Sequence, residues 1–383
     1  MSGLRPLEGH DQERAALGAA IAAGQLPSSI LIHGPPGVGK QRLGLWLGQL
    51  LLCTRRGPDG PCDDCQPCRL AVRLEHPDLH WFFPLLRPKA AGPDRLADAL
   101  EEARAAELEA RRRQPLQPTA PDGMSGIYLA HVQLILRIAQ ARPAMGSHKA
   151  FVIGDAEALV SQEASPEAAN ALLKVLEEPP PDTTVMLTAS DPDVLLPTIR
   201  SRLLPLRLRP LPEEAAVRFL VDHADIPPGD ARRAGRLAQG SIGRALGFLP
   251  HNGEPGVLDQ LRLAARGWLE AALDARGTAR LAIPLGSSPA GARGAFADTL
   301  EFLTVWLRDL AAAGTGAAEV IVNADAADWL RAQADRHPAA LVAVPAAIRD
   351  VDATIRLTQF NINPQLALAV LLRKLREQLG NKG

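Results

Sequence analysis

The hydrophobic positions of this chain follow two regimes that change over near residue 211. In the first, short apolar runs alternate with stretches of helical period. Residues 11–23 (DQERAALGAAIAA) have helix composition and stop at Gly24. "SSILIHG" reads as a short strand running into a glycine loop, and "RLGLWLGQLLLC" beyond Lys40 is apolar at helical spacing. Further strands are expected at 78–83 (DLHWFF), 149–155 (KAFVIGD) and 183–189 (TTVMLTA), with helices at about 127–142 and 165–178. "LLPTIRSRLLPLRL" closes the region near Pro210. Strands alternating with helices imply an α/β fold with a mainly parallel sheet.

Two features interrupt or end this pattern. Residues 84–126 have a charged, Ala-rich middle that reads as a helix, between flanks rich in Pro and Gly. Such a stretch has little to bury, so an inserted, exposed excursion that adds no core is expected. Beyond 211 no strand pattern remains. Residues 211–250 read as a few short helices and 253–383 as a longer helical unit, with "GTARLAIPLGSSPAGARG" a loop inside it. The expected domains are therefore 1–210, 211–250 and 253–383, with no internal repeat.

Composition changes this picture little. At 383 residues the chain is too long for one ordinary core, and its 46% hydrophobic content can fill two or three. The formal net charge of −1 gives no bulk pull toward nucleic acid, although it leaves room for a local basic patch. "MSGLRPLEGH" lacks a basic segment followed by an apolar one, and no apolar run approaches ~20 residues. A soluble, cytoplasmic chain without a membrane span is the expectation.

The four cysteines add chemistry. Cys53, Cys62, Cys65 and Cys68 are spaced C-x8-C-x2-C-x2-C. Four thiolates so close together suit a structural, tetrahedral zinc site with Zn–S bonds of about 2.3 Å. An iron–sulfur cluster uses similar spacing and stays a rival, as do cysteines without metal. Disulfides do not fit the expected compartment.

The glycine loop raises a second question. "GPPGVGKQR" matches the phosphate-binding spacing G-x-x-x-x-G-K, and strand and helix flank it in the required order. Gly34, Pro35, Gly37, Val38, Gly39, Lys40 and Gln41 are thus candidates for holding ATP or ADP, through backbone N–H groups and the lysine. A glycine turn that merely joins strand to helix is the plainer reading. Hydrolysis needs a Ser or Thr hydroxyl after the lysine and an acidic pair after a later strand. Here Gln41 stands in the first place and Gly154-Asp155 in the second. Both departures fall on the same magnesium, so hydrolysis is not expected.

Residues 164–202 make the reading specific. "NALLKVLEEPP" within this stretch, the cysteine module behind the loop helix, "HPDLH" and "INPQLAL" (362–368) together resemble the AAA+ clamp-loader subunits of bacterial DNA polymerase III. Within that group the chain is most similar to the delta prime family. The resemblance implies an AAA+ domain, a helical lid over 211–250 and an all-α collar over 253–383. It further implies a stator that does not itself hydrolyse ATP. Its partners would be gamma/tau motor subunits, a clamp-opening delta subunit, the sliding clamp and primer–template DNA. An ATP-hydrolysing motor subunit is the alternative, and an unrelated P-loop kinase or zinc-bearing scaffold a more distant one.

The family's Ser-Arg-Cys motif appears as Ser201-Arg202-Leu203, which makes Arg202 the candidate arginine finger acting in trans. A plain surface arginine is the other reading. In "GSIGRAL" (240–246) the arginine position of the sensor-2 region falls on Gly243, with Arg244 one place along. The helix at 165–178 sets Asn170, Lys174, Glu177 and Glu178 on one face, opposite Leu172, Leu173 and Leu176. A solvated face with a Lys174–Glu178 pair is one reading; the resemblance implies that Lys174 faces DNA.

Overall fold

The protein is described from a computed structural model. The structure describes residues 3–88, 95–116, 125–159, 166–251, 253–274, 277–286, 293–358 and 362–380. It divides into two compact units, Met1–Leu246 and Gly247–Gly383.

The first unit opens with α1 (Asp11–Ala22), β1 (Ser29–His33), α2 (Lys40–Leu52), α3 (Gln66–Val72) and β2 (Leu79–Phe82). A short strand β3 (Leu85–Leu86), the helix α4 (Leu96–Arg113) and the strand β4 (Ser125–Gly126) follow. Then come α5 (Leu129–Gln140), β5 (Lys149–Ile153), α6 (Pro166–Glu177), β6 (Thr183–Ala189), α7 (Pro197–Arg200) and β7 (Leu204–Arg207). Three helices end the unit: α8 (Glu213–Ala224), α9 (Pro228–Ala238) and α10 (Ile242–Phe248), the last running across the boundary.

Five of these strands form a parallel sheet in the order β2-β5-β6-β1-β7, the mainly parallel α/β fold expected. Its central strands are buried on both faces, which is why they read as continuous apolar runs. Side chains still alternate. Phe151 and Ile153 point into one core with Val132, Ile135, Leu172 and Leu176. Ala150 and Val152 point into the other with Ile30, Leu43, Leu47 and Leu50. Helices therefore cover both faces. Lys149 starts β5 at 2% exposure because its Nζ reaches the carbonyl oxygens that end α5, donating to Ile138 (3.1 Å), Ala139 and Ala141.

Residues 84–126 correct the sequence expectation. The strands β3 and β4 pair antiparallel and close the excursion at its base. Between them α4 lies on the domain, with Leu100 fully buried in the same core as Trp81, Phe83 and Leu85. The charged residues pack as well. Arg111 stacks on Trp81 and Phe83 (4.5 and 3.9 Å to the ring centroids), and Arg104 on Phe82 (4.8 Å). Arg112 donates to the Leu74 carbonyl oxygen at 2.8 Å. Arginine has an apolar stem and a flat head, so a helix rich in it can cover aromatic surface without reading as hydrophobic. The flanks at 89–94 and 117–124 lie outside the described residues. Leu100→Ala is expected to cost about 2–5 kcal/mol, the range for a buried leucine. Denaturant unfolding measures it, and an unchanged midpoint would restore the exposed excursion.

The second unit is helical: α11 (Val257–Leu273), α12 (Thr278–Gly286), α13 (Arg293–Thr315), α14 (Ala327–Arg336), α15 (Pro338–Leu357) and α16 (Pro364–Leu379). The loop expected over 277–294 is half helix, since Ala279–Ile283 are good helix formers and Pro284 falls in the last turn of α12. Residues 287–292 of that stretch lie outside the described residues. Arg262, 3% exposed, is held by Asp259 (2.8 Å), Asn323 (2.9 Å) and Asp325 (2.8 Å), so a buried charge is matched on every side. Among the described residues no helix is long and apolar enough to cross a membrane.

Candidate functional site

Parallel pairing brings the ends of β1, β5 and β6 to one edge of the sheet, where the glycine loop begins. Gly34 sits at φ 154°, and a Cβ there would stand 2.5 Å from the Leu208 carbonyl oxygen. Gly39, at φ 104°, caps α2 and delivers Lys40 as its first residue. Lys40 is only 5% exposed. Its Nζ donates to the carbonyl oxygens of Gly34 (2.9 Å) and Pro35 (3.0 Å) and to Ser190 Oγ (2.9 Å). An ammonium has three donors, so two loop carbonyls and the Ser190 hydroxyl occupy all of them. Burial pushes the Lys40 pKa down, against the opposing pull of Asp155 and Glu157. A phosphate entering this loop has to displace at least one of these contacts.

Gln41 turns to the sheet edge. Its Nε2 donates to Asp155 Oδ2 and its Oε1 accepts from Trp81 Nε1, both at 2.9 Å. The amide lies against the bare Cα of Gly154, where a Cβ would meet Oε1, Cδ and Nε2 at 2.5, 2.6 and 2.8 Å. An aspartate at 154 would require the Gln41 amide to swing out of this position. The two departures seen separately in the sequence are thus one interlocked pair in space.

The segment after α9 closes the loop from above. Ser241 Oγ donates to the Pro36 carbonyl oxygen (2.8 Å), and Gly243 N–H donates to that of Gly37 (2.9 Å). A Cβ on Gly243 would lie 2.8 Å from Gly37 Cα. At the position where the resemblance calls for an arginine, backbone meets backbone and no side chain fits.

The cysteine module is anchored on the far end of α2. Cys53 follows the last helical residue Leu52, Cys65 caps α3 and Cys68 lies within it. All four Sγ atoms lie within 4.8 Å of one another, with Cys53 and Cys65 at 3.9 Å. Tetrahedral bonds of about 2.3 Å imply sulfur–sulfur edges of about 3.8 Å, so the cluster could hold a metal ion with little adjustment. Backbone N–H groups already point at the sulfurs: Arg55 and Cys62 at Cys53 (3.4 Å each), and Cys65 at Cys62 (3.3 Å). Burial works against a thiolate at Cys65, but donors from Cys68 and Thr54 outweigh it and pull the thiol down to about 6. Gln49 of α2 holds Asp63 of the module at 2.7 Å, and Gly60 lies under the Trp46 ring.

Arg202 stands away from the glycine loop, after α7. Its Nη1 donates to the Thr198 carbonyl oxygen (2.7 Å), and its Nη2 pairs with Glu177 Oε1 (2.6 Å). Arg200 pairs with Asp193 instead. On α6 Lys174 is exposed, and the carboxylate engaged on that helix is Glu177, by Arg202.

Trp81, Ser190, Ser241 and Glu177 were not singled out for these contacts by the sequence reading. Ser190 had a signal: it follows β6, and polar residues just beyond the carboxyl ends of parallel strands face the ligand edge.

The family model described as "DNA polymerase III, delta subunit" matches residues 9–212. Among curated proteins, DNA polymerase III subunit delta' of Escherichia coli (strain K12) is 29% identical over 228 residues, covering 60% of this chain and 56% of that protein. Its counterpart in Pseudomonas aeruginosa is 32% identical over 186 residues, covering 49% and 44%. Subunit tau of Escherichia coli (strain K12) is 26% identical over 243 residues, covering 62% and 31%. The chain spans about half the length of the curated delta' relatives it matches. With more than half of its residues under the family model, the chain belongs to the DNA polymerase III, delta subunit family.

Proposed function

We propose that the chain is the delta prime stator of a DNA polymerase III clamp loader, helping to load the sliding clamp onto primer–template DNA in replication. It works without hydrolysing ATP and lends Arg202 to the site of a neighbouring motor subunit. The observation that carries this reading is the Gln41 amide lying against Gly154, so that neither position offers the hydroxyl or carboxylate that a hydrolytic magnesium site uses. The partners that go with it are the gamma/tau motor subunits, the clamp-opening delta subunit, the clamp and DNA in the cytoplasm. Residues 1–210 serve as the AAA+ domain, 211–250 as lid and 253–383 as collar. On this reading the exposed Lys174 meets a DNA phosphate. Cys53, Cys62, Cys65 and Cys68 hold zinc, which as a closed four-thiolate site stiffens its loop and does no chemistry.

ATP turnover tests the reading. The purified chain is expected to stay at background, and Gln41→Ser to stay there too, because Gly154 still lacks the acidic ligand. Reconstitution with motor subunits is expected to restore DNA-stimulated turnover to the complex alone. Sustained turnover by the isolated chain that disappears in Lys40→Ala would make it a motor subunit instead.

A further inference from the structure

Resting on the reading of Arg202 as a finger, we infer that Glu177 is the residue that positions it. Glu177 ends α6, and its Oε1 receives Arg202 Nη2 at 2.6 Å. The Thr198 carbonyl oxygen takes an Nη1–H of the same guanidinium at 2.7 Å. The two restraints come from different elements, so together they fix both the place and the tilt of the planar group. Their backbones are fixed in turn. Leu172 and Leu176 of α6 share one buried cluster with Ile199 and Leu203, which flank the arginine's own turn.

The chemistry suits a poised finger. A free arginine side chain spreads over many rotamers, and ordering it during catalysis would tax the rate it is meant to raise. Glu177 orders it beforehand. The pair must also yield. Arg202 is 35% exposed and Glu177 46%, so water and salt weaken their attraction. Arginine carries five N–H donors, and the contacts to Glu177 and Thr198 do not exhaust them. A phosphate from a neighbouring subunit can therefore be met by a guanidinium already held in place. Glu177 touches no substrate in this scheme and acts only through Arg202.

The test uses the complex reconstituted from the full chain and its motor subunits, with ATP and primer–template DNA. Glu177→Gln is expected to lower the Arg202-dependent part of kcat about two- to five-fold, as loss of a half-exposed ion pair allows, with KM for ATP unchanged. Arg202→Ala with Glu177→Gln should be no slower than Arg202→Ala alone, since both act through one group. In the isolated chain the Arg202 Nε–H order parameter should fall in Glu177→Gln, while melting temperature and metal content stay at wild-type values. If Arg202→Ala slows the complex and Glu177→Gln does not, the positioning role is wrong and the finger stands. A complex indifferent to Arg202→Ala removes the finger itself. A double variant slower than Arg202→Ala alone, or an unchanged order parameter, places the action of Glu177 elsewhere and overturns the inference.

Discussion

Cys65→Ser is expected to release the metal from the four-cysteine cluster and to lower the melting temperature of the chain by many degrees. Binding energy at such sites is folding energy, and apparent values reach about 10–16 kcal/mol for structural zinc in small peptides at neutral pH. A domain with its own core loses only the local share, but here that share is tied to α2. Cys53 is the residue after that helix, Gln49 holds Asp63, and Trp46 packs on Gly60. Loosening the module therefore frees the carboxyl end of the helix whose amino end carries Lys40. Hydrogen exchange should rise at 53–72 and along the second half of α2, with the central strands still protected. Acid should imitate the mutation, because thiols must lose their protons to bind metal. Elemental analysis decides identity: about one zinc per chain is expected, and iron with visible absorbance would mean a cluster. A Cys65→Ser chain that melts like the wild type would show that the cysteines are mere packing.

How much of this was legible depended on whether a residue acts through its own neighbours in sequence or through a partner elsewhere. The central strands were plain, because Phe151, Val152 and Ile153 or Val185, Met186 and Leu187 are buried on both faces. The cysteine cluster was plain because its ligands fall within sixteen consecutive residues. The helix α4 was legible but its packing was not, since its burial rests on Leu100 and on arginine stems laid over Trp81, Phe82 and Phe83. Gln41 and Gly154 were each visible as departures, yet only the sheet brings them together and shows the amide of one lying on the bare Cα of the other. Gly243 shows the same limit. In the sequence it stood only as a glycine at the expected arginine position, whereas the structure has the backbone of Gly37 in the space a side chain would need. Glu177 looked like part of a solvated face. Its partner Arg202 is twenty-five residues away, beyond a strand and a turn, so spacing along the helix pointed to Lys174 and Glu178 instead.

Arg202→Ala should leave assembly and metal content intact while DNA-stimulated ATPase and clamp loading by the reconstituted complex fall. A finger works in trans by setting a fixed positive charge against the charge that builds on the phosphoryl group during transfer. Arginine suits the task because it is always charged and its planar fork matches phosphate oxygens. Removing one typically costs about 10³ to 10⁵ in rate at the site it serves. The whole complex should lose less, because other motor sites do not depend on this chain. Geometry favours Arg202 over its neighbour for the role. Arg200 is taken up by Asp193 on its own loop, so Arg200→Ala should cost little and serves as the control. Arg202 is braced by Thr198 and Glu177 and still about a third exposed, open to a second subunit. Folding is not at stake, for a partly exposed arginine in a turn contributes little to a core whose nearby members are Ile199 and Leu203. The measurement is the ATPase rate and the clamp-loading rate of the complex at saturating ATP, with wild type, Arg200→Ala and Arg202→Ala side by side. Clamp loading by the Arg202→Ala complex at the wild-type rate would sink the assignment, and the proposed contribution of this chain to its neighbour would then have to rest on contacts other than a finger.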